Sequence, residues 1–76
     1  MTNNEAKIAL QNRTPVVCKN IEYSYISAII YRYDKNHNLV ISVELTDKNQ
    51  RSVTIAQLKD VITIYDQQNQ RAPYLS

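Results

Sequence analysis

The side chains in this chain that could attack, protonate or ligate are Cys18, His37 and seven carboxylates, among them Glu22, Asp34 and Glu44. Nucleophilic catalysis would require the Cys18 thiol and the His37 imidazole to meet, with a third group orienting the base. Cys18 falls in the apolar run VVC, which reads as a strand, and His37 in a polar turn, so an inert strand thiol is the expected role. A metal centre needs several His, Cys, Asp or Glu side chains at ligand spacing, and Asp34 with His37 in one loop falls short of that. General acid–base work would be left to scattered carboxylates such as Glu22 and Glu44, whose simpler role is to keep a sheet face soluble. Glycine is absent, which excludes phosphate-cradling loops of the P-loop and dinucleotide types. The expectation is a protein that is not an enzyme, with no catalytic residue, no cofactor and no metal.

Aromatic and basic side chains offer a different chemistry, base stacking and phosphate contact. Four of the six tyrosines stand in YSYISAIIYRY, residues 23 to 33, and rings at that density can stack on single-stranded nucleic acid. Phosphates would be met by Lys35 and His37 in one turn and by Lys48 and Arg51 in the next. Consecutive hairpin turns, however, lie at opposite ends of a meander, about 20 Å apart by the strand rise. Nine basic residues against seven acidic ones give a formal charge of +2, and the basic ones are scattered singly. Such a balance identifies no partner. Nucleic-acid binding through Lys35, His37, Lys48, Arg51 and tyrosine stacking therefore stands as the alternative reading.

The elements that must position these side chains are short. Seventy-six residues make one domain with a small core, expected over residues 1–66, with a polar tail at 67–76 in which Tyr74 and Leu75 are the only large apolar groups. No apolar run approaches the ~20 residues of a membrane span. The start, MTNNEAKIALQNR, has neither the basic nor the hydrophobic region of a secretory leader, and the single cysteine suits a reducing compartment, so a cytoplasmic location is expected.

NEAKIALQ, residues 4–11, reads as a helix that Asn3 or Asn4 could cap, ended by NRTP because Pro15 disfavours a helical Thr14. PVVCK is a short strand, and Asn20 and Ile21 turn the chain into a long strand, residues 22–33. The following loops, YDKNHNLVIS and TDKNQRSVTI, share Asp-Lys-Asn and read as hairpins on type I turns, with Asn36, Asn38 and Asn49 taking the place of glycine. In LVISVEL, Leu39, Ile41, Val43 and Leu45 alternate with Val40, Ser42 and Glu44 and form the core face. Apolar-to-apolar pairing in the second hairpin sets Leu45 against Val53 and Val43 against Ile55. The same turn geometry in the first sets Tyr33 against Leu39, Tyr31 against Ile41 and Ile29 against Val43, which sends Tyr31 and Tyr33 coreward. QLKDV is one helical turn and ITIYD the last strand.

Five strands in meander order with a one-turn helix before the last predict a mainly β fold, a small SH3-like five-stranded barrel with a short N-terminal helix. The long strand is too long for so small a globule, and the small pair Ser27 and Ala28 is where it should bend or bulge, a change that would decide which face Tyr23 and Tyr25 share. The stretches TPVV, YSYISAIIYRYD and VELTDKNQRSVTIAQLKDV, roughly residues 14 to 61, resemble a group of small uncharacterised proteins encoded by Gram-positive bacteria and their phages or mobile elements. Members of that group tend to have glycine after Asp-Lys-Asn, where this chain has His37 and Gln50. The resemblance implies a genetic setting and no activity.

Behind the core face, Ile26, Ala28, Ile30 and Val40 form a second apolar face edged by Tyr23 and Tyr25, and it needs a cover. Ile8 and Leu10 of the helix are one candidate; a protein partner or a second copy of the chain is the other. The function expected is that of an interaction module whose partner the sequence does not identify, with Tyr23, Tyr25, Ile26, Ala28, Ile30 and Val40 as its contact face and a homodimer as one form of it.

Overall fold

The computed structural model describes residues 1–65. Helix α1 (Asn3–Asn12) starts one residue before the expected span, and its cap is Thr2 rather than Asn3 or Asn4. The Glu5 N–H donates to the Thr2 hydroxyl at 3.1 Å and the Thr2 N–H to the Glu5 carboxylate at 2.7 Å. This reciprocal pair satisfies two donors that a helix start leaves open, and the same bonds hold the Glu5 carboxyl below its usual range. The helix ends at Arg13, whose backbone is left-handed (φ 52°), with the Thr14 N–H donating to the Ala9 carbonyl at 3.0 Å. Ala6 and Ala9 are buried, Leu10 packs beside them, and Ile8 is 58% exposed. Two alanines on the inward face let the helix backbone lie close to the strands beneath.

Six strands follow: β1 (Val16–Cys18), β2 (Ile21–Tyr23), β3 (Tyr25–Tyr33), β4 (Leu39–Thr46), β5 (Val53–Gln57) and β6 (Val61–Thr63), with a 3-10 turn at Leu58–Asp60 before the last. They form two three-stranded antiparallel sheets, ordered β2-β1-β6 and β3-β4-β5. The expected five-stranded SH3-like barrel is therefore wrong. The long strand divides at Ser24: its first piece pairs with β1 and its second with β4. Both edges of β1 and both edges of β4 are then taken, and no ladder among the described residues joins one sheet to the other. All three residues of β1 are buried. Lys19 and Asn20, both with positive φ, make the two-residue turn between β1 and β2, the geometry that suits a tight hairpin.

The core lies between the two sheets and α1: Ala6, Ala9, Val16, Cys18, Ile26, Val43, Leu45, Leu58 and Val61, with Met1, Leu10, Tyr23, Ile29, Ile41 and Ala56 packed around it. The β3–β4 register is the expected one, with Tyr33 opposite Leu39, Tyr31 opposite Ile41 and Ile29 opposite Val43, and the ladder shifts between Ile26 and Ala28, where the bulge was placed.

The β4–β5 register is not the expected one. Leu45 faces Thr54, Val43 faces Ala56, and Val53 and Ile55 face Thr46 and Glu44. The two Asp-Lys-Asn loops differ by a residue. Asp34 closes the first by donating its N–H to the Asn38 carbonyl at 3.0 Å, whereas Asp47 closes the second on Ser52 at 3.1 Å. The Asp47 carboxylate also accepts from the Ser52 hydroxyl at 2.6 Å and the Arg51 N–H at 3.0 Å, which fixes the longer loop. The left-handed residues are His37 (φ 64°) and Gln50 (φ 58°), not Asn36, Asn38 or Asn49. Residues 67–76, the expected tail with Tyr74 and Leu75, lie outside the described residues.

Candidate interaction face

The outer face of the β3-β4-β5 sheet is built by strict alternation. Because Ile29, Ile41, Val43 and Leu45 point to the core side, Ala28, Ile30 and Arg32 of β3, Val40, Ser42, Glu44 and Thr46 of β4, and Val53, Ile55 and Gln57 of β5 point the other way. Ala28, Ile30 and Val40 are half-buried among their neighbours, while Val53 and Ile55 are 52% and 56% exposed. Five apolar side chains thus share one surface. The helix does not cover it: α1 packs by Ala6 and Ala9 into the core on the opposite side of the sheet, so the cover expected of Ile8 and Leu10 is absent from this face.

Two polar groups of the face, Glu44 and Thr46, are tied up at the bulge. At the bulge, the Ser27 hydroxyl donates to the Glu44 carboxylate at 2.8 Å and accepts from the Thr46 hydroxyl at 3.0 Å. That small network satisfies the buried Thr46 hydroxyl and draws the Glu44 charge toward the bulge. Arg32 stands at the other end of the strand, opposite Val40. The aliphatic groups flank a polar strip on the central strand: Glu44 lies between Ala28 and Ile55, and the buried Ser42 between Ile30 and Gln57.

Four of the six residues expected on this face are on its side of the sheet: Ala28, Ile30, Val40 and, at the bulge end, Tyr25. Ile26 is not, since the bulge turns it to the core opposite Leu45, where it is 1% exposed. Tyr23 pairs with Val16 in the other sheet and packs on the core. Tyr25 sits opposite Thr46, half-buried, with the Arg13 guanidinium 5.2 Å from its ring centre, a cation–π contact. Val53 and Ile55, which sequence reasoning assigned to the core face, join the outer one. The signal that could have placed them is Ser52, whose hydroxyl gives Asp47 a second partner and lengthens the loop.

Tyr31 and Tyr33, expected coreward, are on the inner side of the sheet but 48% and 71% exposed. A ten-residue helix is about 15 Å long and a nine-residue strand about 30 Å, so the cover ends before β3 does. The Tyr31 hydroxyl donates to the Asn3 side-chain oxygen at 2.6 Å, at the start of the helix, and Tyr33 extends beyond. Lys35 and His37 occupy the turn at that end of β4, and Lys48 and Arg51 the turn at the other. Lys48 is ion-paired with Glu22 at 2.6 Å. The four alternative nucleic-acid contacts are thus divided between two turns.

The residues able to do bond chemistry are dispersed. Cys18 is buried in β1, and burial, with the Asp60 charge adding to it, pushes its thiol pKa up, away from the reactive thiolate. His37 is exposed in the β3–β4 turn. Asp34 spends one carboxylate oxygen on the Asn36 and Asn38 N–H groups at 2.8 and 3.0 Å. No group of three or more His, Cys, Asp or Glu side chains among the described residues could hold a metal ion. An open cleft of about 380 Å³ between the start of β4 and the 3-10 turn is lined by Met1, Leu39, Val40, Ile41, Gln57, Leu58 and Lys59; one ammonium and one amide among aliphatic groups supply no acid–base pair. No helix among the described residues is long and apolar enough to cross a membrane.

No family model, curated protein or solved structure matches this chain.

Proposed function

We propose that this chain is a non-enzymatic interaction module working through the outer face of the β3-β4-β5 sheet. The observation that carries the reading is that Ala28, Ile30, Val40, Val53 and Ile55 share one surface that α1 leaves open. The core on the inner side is built from Ala6, Ala9, Ile26, Val43 and Leu45 without these groups, so the outer aliphatics are free to serve a contact. The lone buried thiol and the resemblance noted in the sequence support a cytoplasmic protein of a phage or mobile element. The test is capture from a bacterial lysate by tagged protein, wild type against Ile30→Lys, with and without nuclease. Protein captured by the wild type, unaffected by nuclease and lost in the variant, is the expected result; capture that nuclease abolishes, or that Ile30→Lys leaves intact, contradicts it.

A second reading, nucleic-acid binding, is favoured by one observation. Tyr33 at 71% exposed stands next to the turn carrying Lys35 and His37, a ring beside two groups that can meet phosphate. Binding of single-stranded DNA or RNA that falls steeply with added salt is its signature.

A further inference from the structure

The backbone of β5 shows where a partner strand would join. The Asp47 N–H donates to the Ser52 carbonyl, which makes Asp47 and Ser52 a hydrogen-bonded pair. By the alternation of an antiparallel ladder, Leu45–Thr54 and Val43–Ala56 are hydrogen-bonded pairs too. The N–H and C=O groups of Val53, Ile55 and Gln57 therefore point away from β4, along an edge with which no strand among the described residues pairs.

Edges are usually blunted by charge, proline, a bulge or brevity. Among the described residues, the other three edges show such devices. The ladder of β3 shifts beside Ser27, β2 has three residues and holds Glu22 in an ion pair with Lys48, and β6 has three residues. Strand β5, VTIAQ, has no charge, no proline and no bulge in its ladder.

We propose that β5 pairs antiparallel with β5 of a second copy, about a two-fold axis at Ile55, giving a continuous six-stranded sheet. The proposal rests on the outer face being a contact surface, which pairing at this edge would double. A two-fold axis normal to the sheet sets residues of the same side against each other: Ile55 against its mate and Val53 against Gln57 outside, Thr54 against Ala56 inside. All three outward-facing residues of each copy then find hydrogen-bond partners, and the two Ile55 side chains meet at the axis. The absence of charge in β5 leaves nothing to repel the like strand. Pairing of five residues is smaller than a standard interface, so association is weak and concentration-dependent.

The test is sedimentation of the full chain over a wide concentration range, comparing wild type, Ile55→Lys, Ile55→Glu and an equimolar mixture of the two variants. Ile55 is 56% exposed, so both variants fold, which circular dichroism checks. The expected result is a wild-type mass rising toward twice the 8.8 kDa chain, association weakened about tenfold or more in each variant alone, and recovery in the mixture, where Lys meets Glu across the axis. A wild type that stays monomeric throughout overturns the proposal. A dimer that survives both substitutions also overturns it. Monomeric wild type that still captures a protein through Ile30 defeats self-pairing alone; a dimer through Ile55 with no capture defeats the separate-partner form alone.

Discussion

At the residue scale, the absence of glycine leaves a mark in the backbone. His37 and Gln50 hold left-handed conformations at equivalent places in the two hairpin turns, a region that costs a residue with a Cβ roughly 1–2 kcal/mol. His37→Gly and Gln50→Gly are each expected to stabilise the fold by about 1 kcal/mol, net of the greater freedom glycine gives the unfolded chain. Urea unfolding reads the effect, and the two gains should add because the turns sit at opposite ends of β4. Asp47 makes a pH prediction. Donation from the Ser52 hydroxyl, then from the Arg51 N–H, holds its carboxyl below the ordinary 3.8. A depressed folded value means that the stabilisation is fully present above about pH 4 and is lost as pH falls through that lower value. In acid titrations of stability, Asp47→Asn should flatten this part of the profile; an unchanged profile would show that the charge contributes nothing.

At the element scale, what the sequence made legible was local periodicity. The alternation in LVISVEL gives the inner face of β4, the matched ladder through Ile29, Tyr31 and Tyr33 follows from it, and the small pair at Ser27 and Ala28 marks the bulge. The β4–β5 register was not legible from apolar matching, because the outcome hangs on one loop residue. Closing on Ser52 instead of Arg51 moves Val53 and Ile55 from the inner face to the outer, and small Thr54 and Ala56 take their inner places. The bulge itself is held by side chains. Ser27→Ala removes the donor to Glu44 and the acceptor for the buried Thr46 hydroxyl, and should cost about 1–3 kcal/mol in chemical denaturation. Removing residues 1–12 takes Ala6 and Ala9 off the core; loss of cooperative unfolding is expected, and a truncated chain that unfolds as sharply as the whole would contradict the packing described.

At the scale of the whole molecule, the barrel expectation failed because strand partnership is non-local. The run from Glu22 to Tyr33 looks like one strand in sequence, yet it serves two sheets, with Ser24 between them donating its N–H to the Thr46 carbonyl at 2.8 Å and its hydroxyl to the Asp47 carbonyl at 2.9 Å. Nothing in a three-residue strand such as VVC or VIT declares its neighbour, and β6 finds β1 across most of the chain. The same division decides the candidate site: Tyr23 goes with β1 and the core, Ile26 goes inward at the bulge, and the outer face is left to Ala28, Ile30, Val40, Val53 and Ile55. Its role as the contact surface is most directly tested by a photo-reactive amino acid placed at Ile30, with the same group at the exposed Ile8 of α1 as control, both irradiated in cells. The account predicts protein adducts from position 30 and few from position 8. Equal labelling from both positions, or adducts from position 8 alone, would contradict it.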